Sequence, residues 1–204
     1  MGIKKFVAGI FSTNTYLITK NKKAVIVDPG LSFITLIDEI KDYEIEAVLI
    51  THGHIDHIDG IGLIDAPIYM GINDVLNLTD YTLSLYHMMD MKPSYDIKKL
   101  KIIPVKDNDL ICLDDFTFRV IETPGHTRGG VCYLYYHNLF SGDTLFRGSV
   151  GRTDFPGGDS KALNSSLKKL IKALPSDTII YPGHDEITDL KREKKENVFL
   201  KSLF

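Results

Sequence analysis

Hydrophobic positions along the chain fall into short runs set apart by polar stretches, with helical stripes between some of them. Residues 15–19 (TYLIT) and 24–27 (AVIV) are β-prone runs split by Lys20-Asn21-Lys22-Lys23, which predicts a hairpin. Asp28-Pro29-Gly30 breaks the chain sharply. Over 32–42, Phe33, Leu36, Ile37 and Ile40 recur at helical spacing, and Ser32 is placed as an N-cap. Residues 47–50 (AVLI) read as a buried strand, so strand, helix and strand alternate as in a layered α/β domain. Residues 72–92 predict a helix carrying Leu76, Leu83, Tyr86, Met88 and Met89. That stripe is read as core; its other use is an adaptable apolar wall beside a ligand. Residues 100–105, 110–113 and 116–121 predict strands, and 131–136 with 139–140 a hairpin around His137-Asn138. Residues 161–173 predict an amphipathic helix with Leu163, Leu167, Leu170 and Ile171 on one face. A strand at 178–181 and a charge-rich surface helix at 189–197 follow, and the apolar ending Val198-Phe199-Leu200 with Leu203-Phe204 is expected to dock on the domain.

Composition narrows the field. The 204 residues show no linker and no low-complexity tract, which predicts a single domain over 1–204. Apolar residues at 44% and charged residues at 25% are ordinary for a globular chain, which excludes disorder and coiled coil. A net charge of −3 supplies no footprint for nucleic acid. The early apolar run at 6–11 (FVAGIF) is too short to span a bilayer, which takes about 20 residues. No membrane partner is therefore expected, and a cytoplasmic location is. Cys112 and Cys132 are too few for a disulfide framework or a Cys-rich zinc module, and both read as buried thiols in strand runs.

The chemistry gathers at strand ends. Residues 47–50 lead into Thr51-His52-Gly53-His54-Ile55-Asp56-His57. Residues 118–121 lead into Thr123-Pro124-Gly125-His126, 139–140 into Ser141-Gly142-Asp143, and 178–181 into Pro182-Gly183-His184. Strand ends along one edge of an α/β sheet converge, so residues far apart in sequence can meet there. Imidazole nitrogen and carboxylate oxygen are ligands for zinc, iron and manganese. Seven such groups exceed the need of one tetrahedral ion and suit two ions that activate a shared water, which points to hydrolysis. His87 and His137 lack such a setting and read as ordinary residues, on a helix and in a turn.

These motifs resemble the metallo-β-lactamase superfamily, and within it the short glyoxalase II-like (hydroxyacylglutathione hydrolase-like) hydrolases. THGHIDH (51–57) resembles the signature, VDPG (27–30) supplies an earlier aspartate, Asp28, and TPGHT, SGDTLFRGSVGRTDFPGGD and YPGH follow in order. The resemblance implies a four-layer αββα sandwich with the metal site at one edge. It implies that His52, His54 and His126 hold one divalent ion, that Asp56, His57 and His184 hold a second, and that Asp143 bridges them. Zinc is the expected metal, with iron and manganese compatible. Asp56 is the expected catalytic residue, orienting a metal-bridging hydroxide. The implied reaction is hydrolysis of a small-molecule thioester such as S-lactoylglutathione by a monomer or small homo-oligomer. RGSVGRTDF (147–155) also resembles iron-dependent persulfide dioxygenases of the same fold, with iron on His52, His126 and Asp143; lactonase and phosphodiesterase chemistry share the ligand set. Arg152 is read as pinning a loop through Asp154 or Asp159. An aspartate at 143, where many β-lactamases carry cysteine, argues against antibiotic hydrolysis. The chain stops soon after His184, so no C-terminal glutathione-binding helical domain is expected.

Overall fold

The computed structural model describes residues 2–203. Strands β1 (Gly2–Ala8), β2 (Thr13–Lys20), β3 (Lys23–Val27), β4 (Glu44–Ile50), β5 (Ile68–Gly71) and β6 (Ile102–Val105) form one sheet in chain order. The first three run antiparallel; β3 to β6 are parallel. The remaining strands are β7 (Leu110–Cys112), β8 (Thr117–Glu122), β9 (Val131–Tyr135), β10 (Asn138–Gly142), β11 (Leu145–Phe146), β12 (Ser149–Val150), β13 (Ile179–Pro182) and β14 (Thr188–Asp189). They make a second sheet in the order β14-β13-β10-β9-β8-β7, with β11 and β12 as a separate hairpin. The helices are α1 (Ile37–Ile40), α2 (Ile55–Ile58), α3 (Ser160–Ala173), α4 (Leu190–Glu196) and α5 (Val198–Lys201).

Strand periodicity explains the layers. Tyr16, Ile18, Val25, Val27, Ala47 and Leu49 point between the sheets, where they meet Phe118, Val120, Tyr133, Tyr135 and Phe140. The alternate positions Leu17, Ala24, Ile26, Val48 and Ile50 pack outward with Phe33, Ile55 and Ile58. Both faces are covered, so these strands carry continuous apolar runs. On the far side Ile121, Cys132 and Leu139 receive Leu163, Leu167 and Leu170 of α3, as the helical spacing predicts. Asp159 caps α3, accepting from Lys161 N and Ala162 N at 2.8 and 3.1 Å, an arrangement that contributes about 1 kcal/mol. The result is the four-layer αββα sandwich. Among the described residues no helix is long and apolar enough to cross a membrane.

Local departures have local causes. The expected helix over 72–92 is a 3₁₀ turn from Ile72 to Leu78 followed by turns. Asp80 caps backbone N–H groups of Thr82 and Leu83, and Leu85 and Asp90 sit at φ 68° and 51°, which ends any regular helix. His87 consequently lies exposed in a turn. Ser32 offers no side-chain cap; its φ of 65° turns its carbonyl toward Thr35 N instead. Cys132 is buried, but Cys112 is exposed at the edge strand β7, contrary to the expectation. β1 and β5 were not legible as strands: β1 alternates without full burial, and β5 has only four residues. Leu200 docks in the α3 layer as expected and Leu203 packs against it, while Val198 and Phe199 stay exposed; Phe204 lies outside the described residues.

Candidate metal centre

Four strand ends supply the cluster. β4 runs into Thr51 and His52, and the chain stays extended through His54 before α2 presents Asp56 and His57. β8 leads to His126, β10 to Asp143 and β13 to His184. Parallel pairing of β10 with β13 brings Asp143 beside His184, locked by Gly183 N donating to Gly142 O at 2.9 Å. Val131 N donates to Thr51 O at 2.8 Å and Asn14 N to Gly183 O at 2.7 Å, which ties the two sheets together at this edge. Gly183 is required by space: a Cβ there would stand against Asp143 Oδ1 and 2.7 Å from His57 Cε1. Gly142 combines a φ of +47° with the Thr51 side chain pressed against it, so a side chain is excluded twice over.

All seven predicted residues meet. His126 Nε2 lies 2.9 Å from His54 Nδ1 and 3.5 Å from Asp143 Oδ2. His57 Nε2 lies 3.4 Å from Asp56 Oδ2 and 3.5 Å from Asp143 Oδ1. His184 Nε2 lies 3.3 Å from Asp56 Oδ2 and 3.4 Å from Asp143 Oδ2. Three groups offer ligand atoms within 4.8 Å of one another: His52, His54 and His126; His52, His57 and Asp143; Asp56, His57 and His184. The buried atoms His52 Nε2, His54 Nε2, His57 Nε2 and Asp143 Oδ1 have no hydrogen-bond partner. Burial without a partner costs a polar atom about 1–3 kcal/mol. Such a concentration, at one point, in N and O donors, is what a pair of divalent cations would relieve.

Outer partners aim these side chains. Asp28, itself buried, accepts from His57 Nδ1 at 2.9 Å and from Thr51 N and Oγ1 at 2.8 and 2.6 Å, which turns His57 Nε2 toward the cluster. His126 Nδ1 donates to Arg152 O at 2.7 Å and His184 Nδ1 to Phe11 O at 3.1 Å, which turns both Nε2 atoms toward the cluster. Thr13 Oγ1 donates to Asp56 Oδ2 at 2.8 Å. Sequence reasoning missed Asp74. Its buried carboxylate accepts from Gly53 N at 2.9 Å, Thr127 Oγ1 at 2.7 Å and Gly129 N at 2.6 Å, joining the His52–His54 loop to the His126 loop. No motif marks Asp74, and only its place after β5 sets it there.

Charge within the cluster is divided. Burial drives His52 well below its ordinary value and His54 down to about 3, so both are neutral. Burial opposes charge on His57 and His184 too, but facing carboxylates prevail: Asp56 and Asp28 hold His57 well up, and Asp143 and Asp56 hold His184 up to about 10. Burial would likewise raise Asp143 and Asp56; His57 and His184 hold Asp143 down at about 2 and Asp56 well below its usual range.

A cavity of about 390 Å³ opens above the cluster. His54, Asp56, His126, Asp143 and His184 reach it, and Phe11, Leu85, Met88, Met89, Phe146 and Phe155 wall it. Met88 is thus not core but exposed wall, the second of the two uses weighed for that stripe; Met89 serves both. Arg152 pairs with Asp154 as expected, at 2.6 Å, whereas Asp159 caps α3. His137 lies exposed in a turn.

The model of the metallo-β-lactamase superfamily matches residues 8–184. GloC of Haemophilus influenzae, named a hydroxyacylglutathione hydrolase, is 30% identical, over 99% of this chain and 99% of its own. The crystal structure of BLEG-1, described as a B3 metallo-β-lactamase, has a TM-score of 0.90 at 34% identity, covering 98% of this chain and 99% of that one. The structure of TTHA1623 in a di-iron-bound form has a TM-score of 0.84 at 32% identity, covering 97% and 100%.

Proposed function

Because this chain belongs to the metallo-β-lactamase superfamily and is a metallo-hydrolase of it, we propose that it hydrolyses thioesters over two divalent metal ions. His52, His54 and His126 would hold one ion, Asp56, His57 and His184 the other, with Asp143 between them. The observation that carries this reading is the convergence of the seven side chains in one cluster, with four buried ligand atoms left without a hydrogen-bond partner and five of the seven residues reaching one cavity. Two bound ions supply an acidified water and a Lewis acid for the acyl carbonyl.

The chain's own groups account for the rest. Asp143 and Asp56 remain ionised, and His52 and His54 remain neutral, the forms in which these groups ligate. Asp56, fixed by Thr13 Oγ1, is placed to accept a hydrogen bond from the attacking water and to set its direction. The apolar walls exclude bulk water from the reacting carbonyl. As the C–S bond breaks, the sulfur leaves as thiolate; thiol pKa values near about 8.5 mean that no strong acid is needed. With His57 and His184 taken up as ligands, the described residues of the site offer none, which supports a thiol over an alkoxide leaving group. Likeness to GloC supports the same substrate class, and likeness to a di-iron structure supports iron beside zinc as the resident metal.

The test is thiol release from a thioester panel that includes S-lactoylglutathione, by protein stripped of metal and then reloaded. Release that disappears and returns with metal supports the proposal. Oxygen uptake on a persulfide with iron bound would replace it with the dioxygenase reading, and cleavage of a chromogenic β-lactam alone would replace it with antibiotic hydrolysis, which likeness to BLEG-1 keeps among the arms.

A further inference from the structure

The cavity above the cluster differs in chemistry from its floor. Outside the candidate ligands its wall is aromatic and aliphatic: Phe11, Leu85, Met88, Met89, Phe146 and Phe155. Among the described residues Arg152 is the one cation in that wall, and it is already engaged. Its Nε and second amino group donate to the two carboxylate oxygens of Asp154 at 2.7 and 2.6 Å, and its guanidinium lies 4.0 Å from the centre of the Phe155 ring. Arg147, next to Phe146 in sequence, is paired with Glu186. An incoming carboxylate would have to break one of these pairs and would exchange one partner for another with little gain. Met88 is 59% exposed, and Phe11 41%. These are large apolar side chains left open at the mouth of a site, where a solvent-facing position ordinarily carries a polar residue. Methionine adapts its shape to apolar ligands of differing outline.

Resting on the thioesterase reading, we infer that the substrate is a thioester with an apolar acyl group and an uncharged thiol portion, held against the Met88–Phe155 wall, and not an anionic peptide thioester such as a glutathione conjugate. The acyl chain lies along the wall while its carbonyl carbon stands over the cluster. Water adds to that carbon, the C–S bond breaks, and the products are an apolar carboxylate, a thiol and one proton released to solvent. Each methylene that the wall takes out of water is worth about fourfold in kcat/KM at about 0.8 kcal/mol per group.

The experiment compares zinc-loaded protein on acetyl, butyryl and hexanoyl thioesters of N-acetylcysteamine with S-hexanoylglutathione and S-lactoylglutathione. kcat/KM is expected to rise about sixteenfold at each two-carbon step, and S-hexanoylglutathione to be no better than the hexanoyl ester of the neutral thiol. Calorimetry with the inert thioether S-hexyl-N-acetylcysteamine gives a readout free of turnover: Met88→Asp should weaken its binding at least tenfold, and Met88→Lys should improve binding of S-hexylglutathione. A flat acyl-length series, or S-lactoylglutathione turned over tenfold faster than every neutral ester, overturns the inference and leaves the thioesterase reading standing. No thiol release from any ester of either series overturns that reading, and the inference falls with it.

Discussion

Replacing Asp28 by asparagine isolates the link between an outer partner and a candidate ligand. Asp28 has a φ of 51°, a region asparagine also enters, so Asp28→Asn keeps backbone and shape. What changes is one oxygen. Asp28 Oδ2 accepts from His57 Nδ1 and Thr51 Oγ1, and Oδ1 accepts from Thr51 N. An amide can serve only one of these sides. If its oxygen stays toward His57, the Thr51 N–H faces an NH₂ and loses its acceptor, which costs about 1–3 kcal/mol. If the oxygen turns to Thr51 N, His57 Nδ1 meets a donor and the ring proton moves to Nε2, the atom aimed at Asp56 and Asp143. That atom then has no lone pair for a cation. Loss of such support typically lowers metal affinity about 10–100-fold. The two routes predict either a stability loss of about 1–3 kcal/mol or a fall in affinity of that size. Denaturant titration reads the first, and metal content after equilibration in graded zinc buffers reads the second. Unchanged stability together with unchanged affinity would refute the reasoning.

Four other outcomes follow from the same structure. In metal-free protein at pH 7, His184 and His57 carry protons because their values are raised, whereas His52 and His54 are already neutral; zinc loading should therefore expel about two imidazole protons, read from calorimetric heats in buffers of different ionisation enthalpy, and no proton release would contradict the ligand set. The raised His184 stabilises the metal-free fold fully below its unfolded value, about 6.5, and this contribution is lost as pH rises toward about 10, so the metal-free melting temperature should fall over that window while zinc affinity rises. Asp74→Ala strands three buried donors and should cost at least about 3 kcal/mol in denaturant titration. Thiol reagents should label Cys112 quickly and leave activity intact, with Cys132 protected by burial, which also pushes its thiol up to about 11; mass spectrometry of the labelled peptide checks this.

The sandwich was legible because strand-long apolar runs and the Leu163–Leu167–Leu170 stripe obey simple periods. The cluster was legible because its donors sit after strands, next to glycines that the packing needs, as at Gly183 beside Asp143. Other features depend on tertiary partners. Asp74 acts only because Gly53 and Gly129, from two segments far apart in sequence, fold onto its two carboxylate oxygens. The stripe from Leu76 to Met89 has helical spacing, yet Asp80 captures the next turn and Leu85 takes a left-handed φ, so its methionines reach a cavity wall instead of a helix face. Cys112 looks like a strand residue and is one, but β7 is the edge of its sheet and leaves it exposed.

The central claim is that this cluster holds two cations. A crystal structure of zinc-loaded protein, with anomalous scattering recorded at the zinc edge, tests it most directly. The account predicts two peaks about 3.5–4 Å apart, one against His52, His54 and His126, the other against Asp56, His57 and His184, with Asp143 between them. A single peak, or zinc bound elsewhere while these side chains stay free, would contradict it.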